Sequence, residues 1–301
     1  MKSSSVNMFL KKSRIAMAQI SAVLGDLAKN VEHHIQLAQR ALTQGADCIV
    51  FPELSLTGYT LRDLNNEVAL DPNTSELVTP LRELSKQITI ICGGVERSKS
   101  GGVHNSAFVF EDGICKHSHH KIYPPTYGIF EEERYFLAGT TLRTIDSIRL
   151  GRIGILICED LWHPSLPYML AYQGAQLIIT IAASPTRLGI GEAFTGTVPH
   201  NYTINTDHQI AYARLFSIYM AFVNRIGVED GVNFWGGSQL ISPTGDVVQR
   251  ATFFDEELMF VDIDPQAILH TREYSRHMLD ENLLLTQQLL TDTIAISREG
   301  V

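Results

Sequence analysis

The stretch GRIGILICEDLWHPS, residues 151–165, decides how the rest of the sequence is read. GRIGILIC is apolar apart from Arg152, too short for a buried helix, and it breaks off at the polar run EDLWHPS. That pattern predicts a strand buried on both faces, as in a parallel sheet covered by helices. Cys158 closes the strand. A side chain there stands at the carboxyl edge of the sheet, where open α/β sheets form their ligand crevices. A strand cysteine is more often a small buried hydrophobe, but the abrupt polar flank argues for a reactive position.

Outward from this strand the chain alternates short apolar runs with amphipathic segments. Strands are expected at Arg14–Ile20, CIVFPE (48–53), ITIICGGVE (88–96), QLIITIAAS (176–184), AFVNRIG (221–227), SQLISPTGDVV (238–248) and LMFVDID (258–264). NSAFVFEDGICKHSH (105–119) reads as a hairpin turning at Asp112-Gly113. Helices are expected over Leu27–Gln44, with Val31, Ile35, Ala38 and Leu42 on one face, and over Ser75–Gln87. Two more are expected, one ending near Gly174 and one over His208–Tyr219. Strands separated first by helices and then by hairpins predict a mixed α/β sheet with helices on its outer faces.

No linker, composition shift or short repeat divides the series, so residues 1–301 read as a single domain with a helical C-terminal tail from 265. That tail is rich in leucine, from Leu279 through Leu283, Leu284, Leu285, Leu289 and Leu290, and predicts packing on the body or on a second copy, most simply a two-fold dimer. Hydrophobic residues at 45% and charged residues at 19% exclude disordered and fibrous classes. Lysine and arginine number 24 against 33 acidic residues, a formal charge of −9. A nucleic-acid surface and attraction to anionic membrane are therefore not expected. No apolar run reaches membrane-spanning length and the N-terminus has no signal-like core, so a cytoplasmic location is expected. Cys48, Cys92, Cys115 and Cys158 contain no CxxC pair, which argues against a disulfide scaffold and a structural zinc site.

Two further residues stand beside Cys158 in this reading. Glu53 ends the strand CIVFPE at the matching sheet edge, where it could take the thiol proton as a general base. Lys121 follows the strand ICKHSHH, where its ammonium would favour a thiolate or stabilise an oxyanion. A nucleophile elbow of the glycine type is not expected, because the positions two residues either side of Cys158 hold Leu156 and Asp160. His163 reads as a packing or helix-start residue. His117 and His119 fall on one strand face and His120 on the other, which predicts a solvated hairpin and no metal.

FPELSLTGY (51–59), HKIYPPTYGIFEEERYFLAG (120–139) and LICEDLWHPS (156–165), in that order and followed by NRIGVEDGVNFWGGSQLISPTGDVV (224–248), resemble the signature regions of the nitrilase superfamily of carbon–nitrogen hydrolases. The resemblance implies a four-layer α-β-β-α sandwich and a Glu-Lys-Cys triad, which maps onto Glu53, Lys121 and Cys158. It also implies a second glutamate, which falls on Glu132, with Glu131 and Glu133 as neighbouring registers. Within the superfamily the wording is most similar to the glutaminase domain of glutamine-dependent NAD synthetases. The chain departs from those enzymes in having no SGGxDS-type pyrophosphatase loop, so an ATP-using synthetase domain is not expected. TRLGIGEAFTGTVPHNY (186–202) also differs from the basic stretch of that family.

The reading that follows is a cysteine-dependent amidase releasing ammonia through a thioester, without metal or organic cofactor. Tyr59, Tyr127, Glu159, Trp162, Ser184 and Arg187 lie in or beside the motifs and are candidate substrate-binding residues. The alternatives are a glutaminase subunit serving a separate synthetase and a catalytically silent binding protein of the same fold; direct nitrile hydrolysis is a weaker fourth.

Overall fold

In the first strand, SRIAMAQ, Ile15 and Met17 point to one side and Ala16 and Ala18 to the other, and all four are fully buried. A strand apolar on both faces must be covered twice, and the architecture follows from that requirement. The structure, a computed structural model, describes residues 9–186 and 199–299. In chain order its strands are β1 (Ser13–Gln19), β2 (Cys48–Val50), β3 (Thr89–Arg97), β4 (Val103–Glu111), β5 (Ile114–His120), β6 (Ile145–Ser147) and β7 (Gly151–Ile157). They continue as β8 (Leu177–Ala182), β9 (Tyr219–Asn224), β10 (Ile226–Glu229), β11 (Val232–Trp235), β12 (Gln239–Ile241), β13 (Val247–Arg250) and β14 (Glu257–Ile263).

Two six-stranded sheets form, in the orders β14-β1-β2-β3-β4-β5 and β13-β12-β9-β8-β7-β6. Each has a parallel trio, β1-β2-β3 or β7-β8-β9, flanked by antiparallel strands. Ile15, Met17, Val50 and Ile91 of the first sheet meet Ile155, Ile157, Ile179 and Val223 of the second in a central apolar layer. On the outer face of the first sheet, Ala16, Ile49 and Ile90 pack against Val31, Leu37, Ala38 and Leu81 from the helices Leu27–Thr43 and Thr79–Leu84. On the outer face of the second, Leu156, Ile178 and Phe222 pack against Leu166, Leu170, Ala213 and Phe216 from the helices Ser165–Tyr172 and His200–Phe216. This is the expected four-layer α-β-β-α sandwich.

Several boundaries differ from the sequence reading. The expected helix Ser75–Gln87 is a 3₁₀ turn, Glu76–Val78, followed by an α-helix over Thr79–Leu84. Pro80 sits in the first turn of that helix, because its ring would clash with a preceding turn of α-helix. The helix expected at His208–Tyr219 starts behind Pro199 and ends at Phe216, where Ser217 turns left-handed with φ 49°. The tail is helical at Pro265–Tyr274, His277–Asp280 and Leu283–Glu299, but Leu283, Leu284, Leu285, Leu289 and Leu290 stay exposed instead of packing on the body. Among the described residues no helix is long and apolar enough to cross a membrane.

One glycine fixes how closely the loop after β2 lies on β3. A Cβ on Gly93 would stand 2.2 Å from the backbone N of Leu54 and 2.8 Å from Cα of Glu53. Leu54 is itself left-handed, with φ 49°. Gly93→Ala is therefore expected to destabilise the fold by about 1–3 kcal/mol, through overpacking that the backbone must absorb. A urea midpoint equal to that of the wild type would contradict this close-approach account.

Candidate active site

Three strand ends of the first sheet and two of the second meet at one edge. Glu53 follows β2, Asn105 lies in β4 and Lys121 follows β5; Cys158 follows β7, and Ala183 and Ser184 follow β8. The loop carrying Glu53 is held from outside by the first helix: Asn30 Nδ2 donates to the Leu56 carbonyl at 3.0 Å, and His34 Nε2 lies 2.9 Å from Ser55 Oγ. From the other side Glu229 Oε1 accepts the Tyr59 N–H at 2.9 Å, and Glu229 pairs with buried Arg225 at 3.0 Å.

At the centre lies Lys121, only 1% exposed. Its Nζ donates to Glu53 Oε1 at 2.8 Å and to Glu132 Oε1 at 2.7 Å. Glu132 is buried, whereas Glu131 and Glu133 are exposed. Asn105, fully buried, donates through Nδ2 to Glu53 Oε1 at 2.7 Å and to Glu132 Oε2 at 3.4 Å. The Ala183 N–H donates to Glu53 Oε2 at 2.7 Å, and the Tyr59 hydroxyl donates to Glu132 Oε1 at 2.6 Å. Burial works against the Lys121 charge, but Glu132 and Glu53 outweigh it and hold the ammonium well above the ordinary lysine range. Burial also raises the Glu132 carboxyl, an effect that Lys121 opposes.

Cys158 is partly buried and lines a cavity of about 360 Å³ with Tyr127, Glu159, Trp162, Ser184 and Asn233. Its φ is 44°, a left-handed conformation that costs a non-glycine residue roughly 1–2 kcal/mol. A strained elbow is thus present without the glycine pattern by which the sequence reading excluded it. A buried carboxylate braces this turn: Asp160 Oδ2 accepts the Ile157 N–H at 3.1 Å. Lys121 favours the Cys158 thiolate, as expected of an ammonium nearby, but other effects are larger. Burial first and Glu53 second push the Cys158 thiol well above its ordinary value, and the pull of Lys121 does not offset them.

Of the expected substrate-binding residues, Tyr127, Glu159, Trp162 and Ser184 line the cavity; the Tyr127 hydroxyl donates to Glu159 Oε2 at 2.8 Å, and Ser184 Oγ accepts from Trp235 Nε1 at 3.1 Å. Tyr59 is not among the residues lining the cavity and faces Glu132 instead. Arg187 lies outside the described residues. Asn105 and Asp160 were missed, although each is a polar residue bordering an apolar strand. The solvated-hairpin reading of the histidines needs correction. His119 is 3% exposed with Nε2 2.9 Å from Asp160 Oδ2, burial pushes the His117 imidazole down to about 4, and His120 stacks on His104 at 3.9 Å. His163 stacks on Tyr123 at 3.4 Å, as a packing residue would. Among the described residues no group of three or more His, Cys, Asp or Glu side chains is placed to hold a metal ion.

The two-sheet sandwich with this edge cluster is that of a carbon–nitrogen hydrolase, and the sequence profile of that family matches residues 14–273. The chain belongs to the carbon–nitrogen hydrolase family. It is 29% identical over 261 residues to a glutamine-dependent NAD(+) synthetase of Thermotoga maritima, an alignment that covers 85% of this chain and 42% of that protein. Among solved structures, a glutamine-dependent NAD+ synthetase from Acinetobacter baumannii superposes with TM-score 0.75 and 28% identity, over 86% of this chain and 47% of that one. Nit3 of Saccharomyces cerevisiae, of the nitrilase superfamily, superposes with TM-score 0.76 and 23% identity over 90% of this chain and 97% of its own, a likeness of fold. The chain spans less than half the length of the synthetases it matches.

The thiol environments yield a prediction. Cys48 and Cys92 are buried and raised by burial, and Cys115 is pushed up to about 12, whereas Cys158 opens on the cavity. Iodoacetamide is expected to label Cys158 first, at a rate that keeps climbing with pH beyond the range where a free cysteine is fully ionised. First labelling at Cys115, or a rate already at its plateau near neutral pH, would contradict this reading.

Proposed function

We propose that the chain is a cysteine-dependent amidase that hydrolyses a small amide C–N bond through a thioester on Cys158. The observation that carries this reading is the Lys121 ammonium buried between Glu53 and Glu132, with all three charges acting on the Cys158 thiol that lines the cavity. With the thiol neutral, attack must be base-assisted. Cys158 Sγ bonds to the carbonyl carbon as Glu53 takes the thiol proton, and the carbonyl π pair moves onto oxygen. Lys121 Nζ and the Glu159 N–H, at the start of the short helical turn Cys158–Trp162, hold that oxyanion; a donor so placed contributes roughly 2.7–4 kcal/mol. Collapse breaks the C–N bond, and Glu53 returns the proton to the departing ammonia. Water, deprotonated by Glu53, then attacks the thioester and frees the thiol. Glu132 holds Lys121 in place.

Among the described lining residues Glu159 supplies the one carboxylate, and no lysine or arginine is present. That favours an amide carrying a positive or hydrogen-bond-donating group away from the reacting carbon, because Glu159, which already accepts from Tyr127, offers such a group a charged partner that a simple aliphatic amide leaves unused. Arg187 would receive a carboxylate, so amino-acid ω-amides, glutamine among them, are the substrate class. A second reading, favoured by the synthetase relatives, is a glutaminase delivering ammonia to a separate synthetase; activity that rises on adding such a partner supports it. Residues 1–301 act in either case as one catalytic domain. Its four free cysteines suit the reducing cytoplasm. The exposed leucines of the Leu283–Glu299 helix suit a homodimer, for which light scattering should give twice the 33.5 kDa chain mass.

Ammonia release from glutamine, asparagine, other ω-amides, propionamide and benzonitrile tests the reading, with Cys158→Ala as blank. Glu53→Gln and Lys121→Ala are expected to lower kcat by at least about 100-fold with unchanged circular dichroism, because both act on the transition state. Unchanged kcat in either variant removes that residue from the mechanism. A preference for propionamide over every ω-amide would contradict the substrate class.

A further inference from the structure

The two sheets pack on each other through side chains, so no backbone ladder fixes how one lies along the other. Lys121 ends a strand of the first sheet and Cys158 a strand of the second. Their relative placement therefore depends on hydrogen bonds that cross between the sheets. One fully buried side chain, in the turn after β7, makes three of them and a fourth to the strand it follows. Asp160 Oδ1 accepts the N–H groups of Ile122 at 3.0 Å and Tyr123 at 3.1 Å. Its Oδ2 accepts the Ile157 N–H at 3.1 Å and faces His119 Nε2 at 2.9 Å, which acts as a donor because an ionised carboxylate only accepts. Ile122 and Tyr123 follow Lys121 directly, and Ile157 immediately precedes Cys158.

We propose that Asp160 is a positioning residue: its buried carboxylate, oriented by His119, grips the backbone beside Lys121 and beside Cys158 together, and so sets the separation of ammonium and thiol. The inference rests on the amidase reading for its kinetic consequence, though not for its geometry. Asp160 touches no reacting atom in this account. A carboxylate has two accepting faces and an amide only one. In Asp160→Asn the NH₂ group must confront either the Ile157 N–H or the pair from Ile122 and Tyr123. One side of the clamp is released whichever way the amide turns, and the left-handed elbow at Cys158 loses its anchor.

The test is Asp160→Asn, with thermal denaturation and circular dichroism establishing that it folds. A displacement of the order of 1 Å at the reacting groups lowers kcat about 100-fold, while KM stays within about threefold because the cavity wall is intact. The second readout needs no substrate. The charged groups acting on the Cys158 thiol are Glu53, Lys121, Glu132 and Glu159, and of these only Lys121 favours ionisation. Moving Lys121 away should shift the pH profile of Cys158 alkylation upward by about one unit. A folded variant with wild-type kcat and the wild-type alkylation profile overturns the proposal. Should Asp160→Asn not fold, His119→Leu removes one donor from Oδ2 and is expected to move the profile in the same direction. His119→Gln, which keeps a donor, should move it less, and identical profiles for the two overturn the proposal. If no amide is turned over by the wild type, the amidase reading fails while the alkylation profile still decides the role of Asp160.

Discussion

The Lys121 ammonium lies between two carboxylates in a site that water barely reaches. Any one of these charges alone would be expelled or neutralised at such depth, because desolvation of an ion there costs several kcal/mol. Together they persist because each is hydrogen-bonded: Glu53 by Lys121, Asn105 and the Ala183 N–H, and Glu132 by Lys121 and Tyr59. With both carboxylates ionised the group carries a net charge of −1. Burial is the first reason that the Glu132 carboxyl and the nearby Cys158 thiol are raised, and the Glu53 charge adds to it in both, in spite of the lysine beside them.

The sandwich is arranged around this cluster. Parallel strands β2, β7 and β8 all present their carboxyl ends to the same edge, the edge where α/β sheets place ligands. The Ala183 N–H reaches from the second sheet to Glu53 of the first, and Asp160 reaches from the elbow after β7 to the backbone after β5. Gly93 lets the Glu53 loop lie directly on β3. The close approach and the left-handed turns at Leu54 and Cys158 concentrate backbone cost at this edge, and the helix-covered core elsewhere carries it.

Most of the layer architecture is legible in the sequence because buried parallel strands write themselves as apolar runs, GRIGILI and LIITIA being the clearest. The candidate triad is legible for a related reason: Glu53 and Cys158 each follow such a run at once, so their edge position is a matter of counting. What sequence conceals is who faces whom. Asn105 and Asp160 are ordinary polar residues until the second sheet closes over them, and His119 differs from its neighbours only by which strand face the packing covers. The balance of charge is concealed for the same reason: the burial and the two carboxylates that outweigh the pull of Lys121 on the Cys158 thiol come from segments far apart in the chain.

The central claim is that burial, together with the carboxylates of this cluster, keeps Cys158 a neutral thiol that must be activated by a base as it reacts. Direct titration of the Cys158 thiol tests it, by the thiolate absorbance of the wild type minus that of Cys158→Ala as pH is raised. The account predicts no thiolate from this residue at neutral pH and ionisation only above the range of an ordinary cysteine. A full thiolate step at or below neutral pH would show a preformed Cys158–Lys121 ion pair and contradict it.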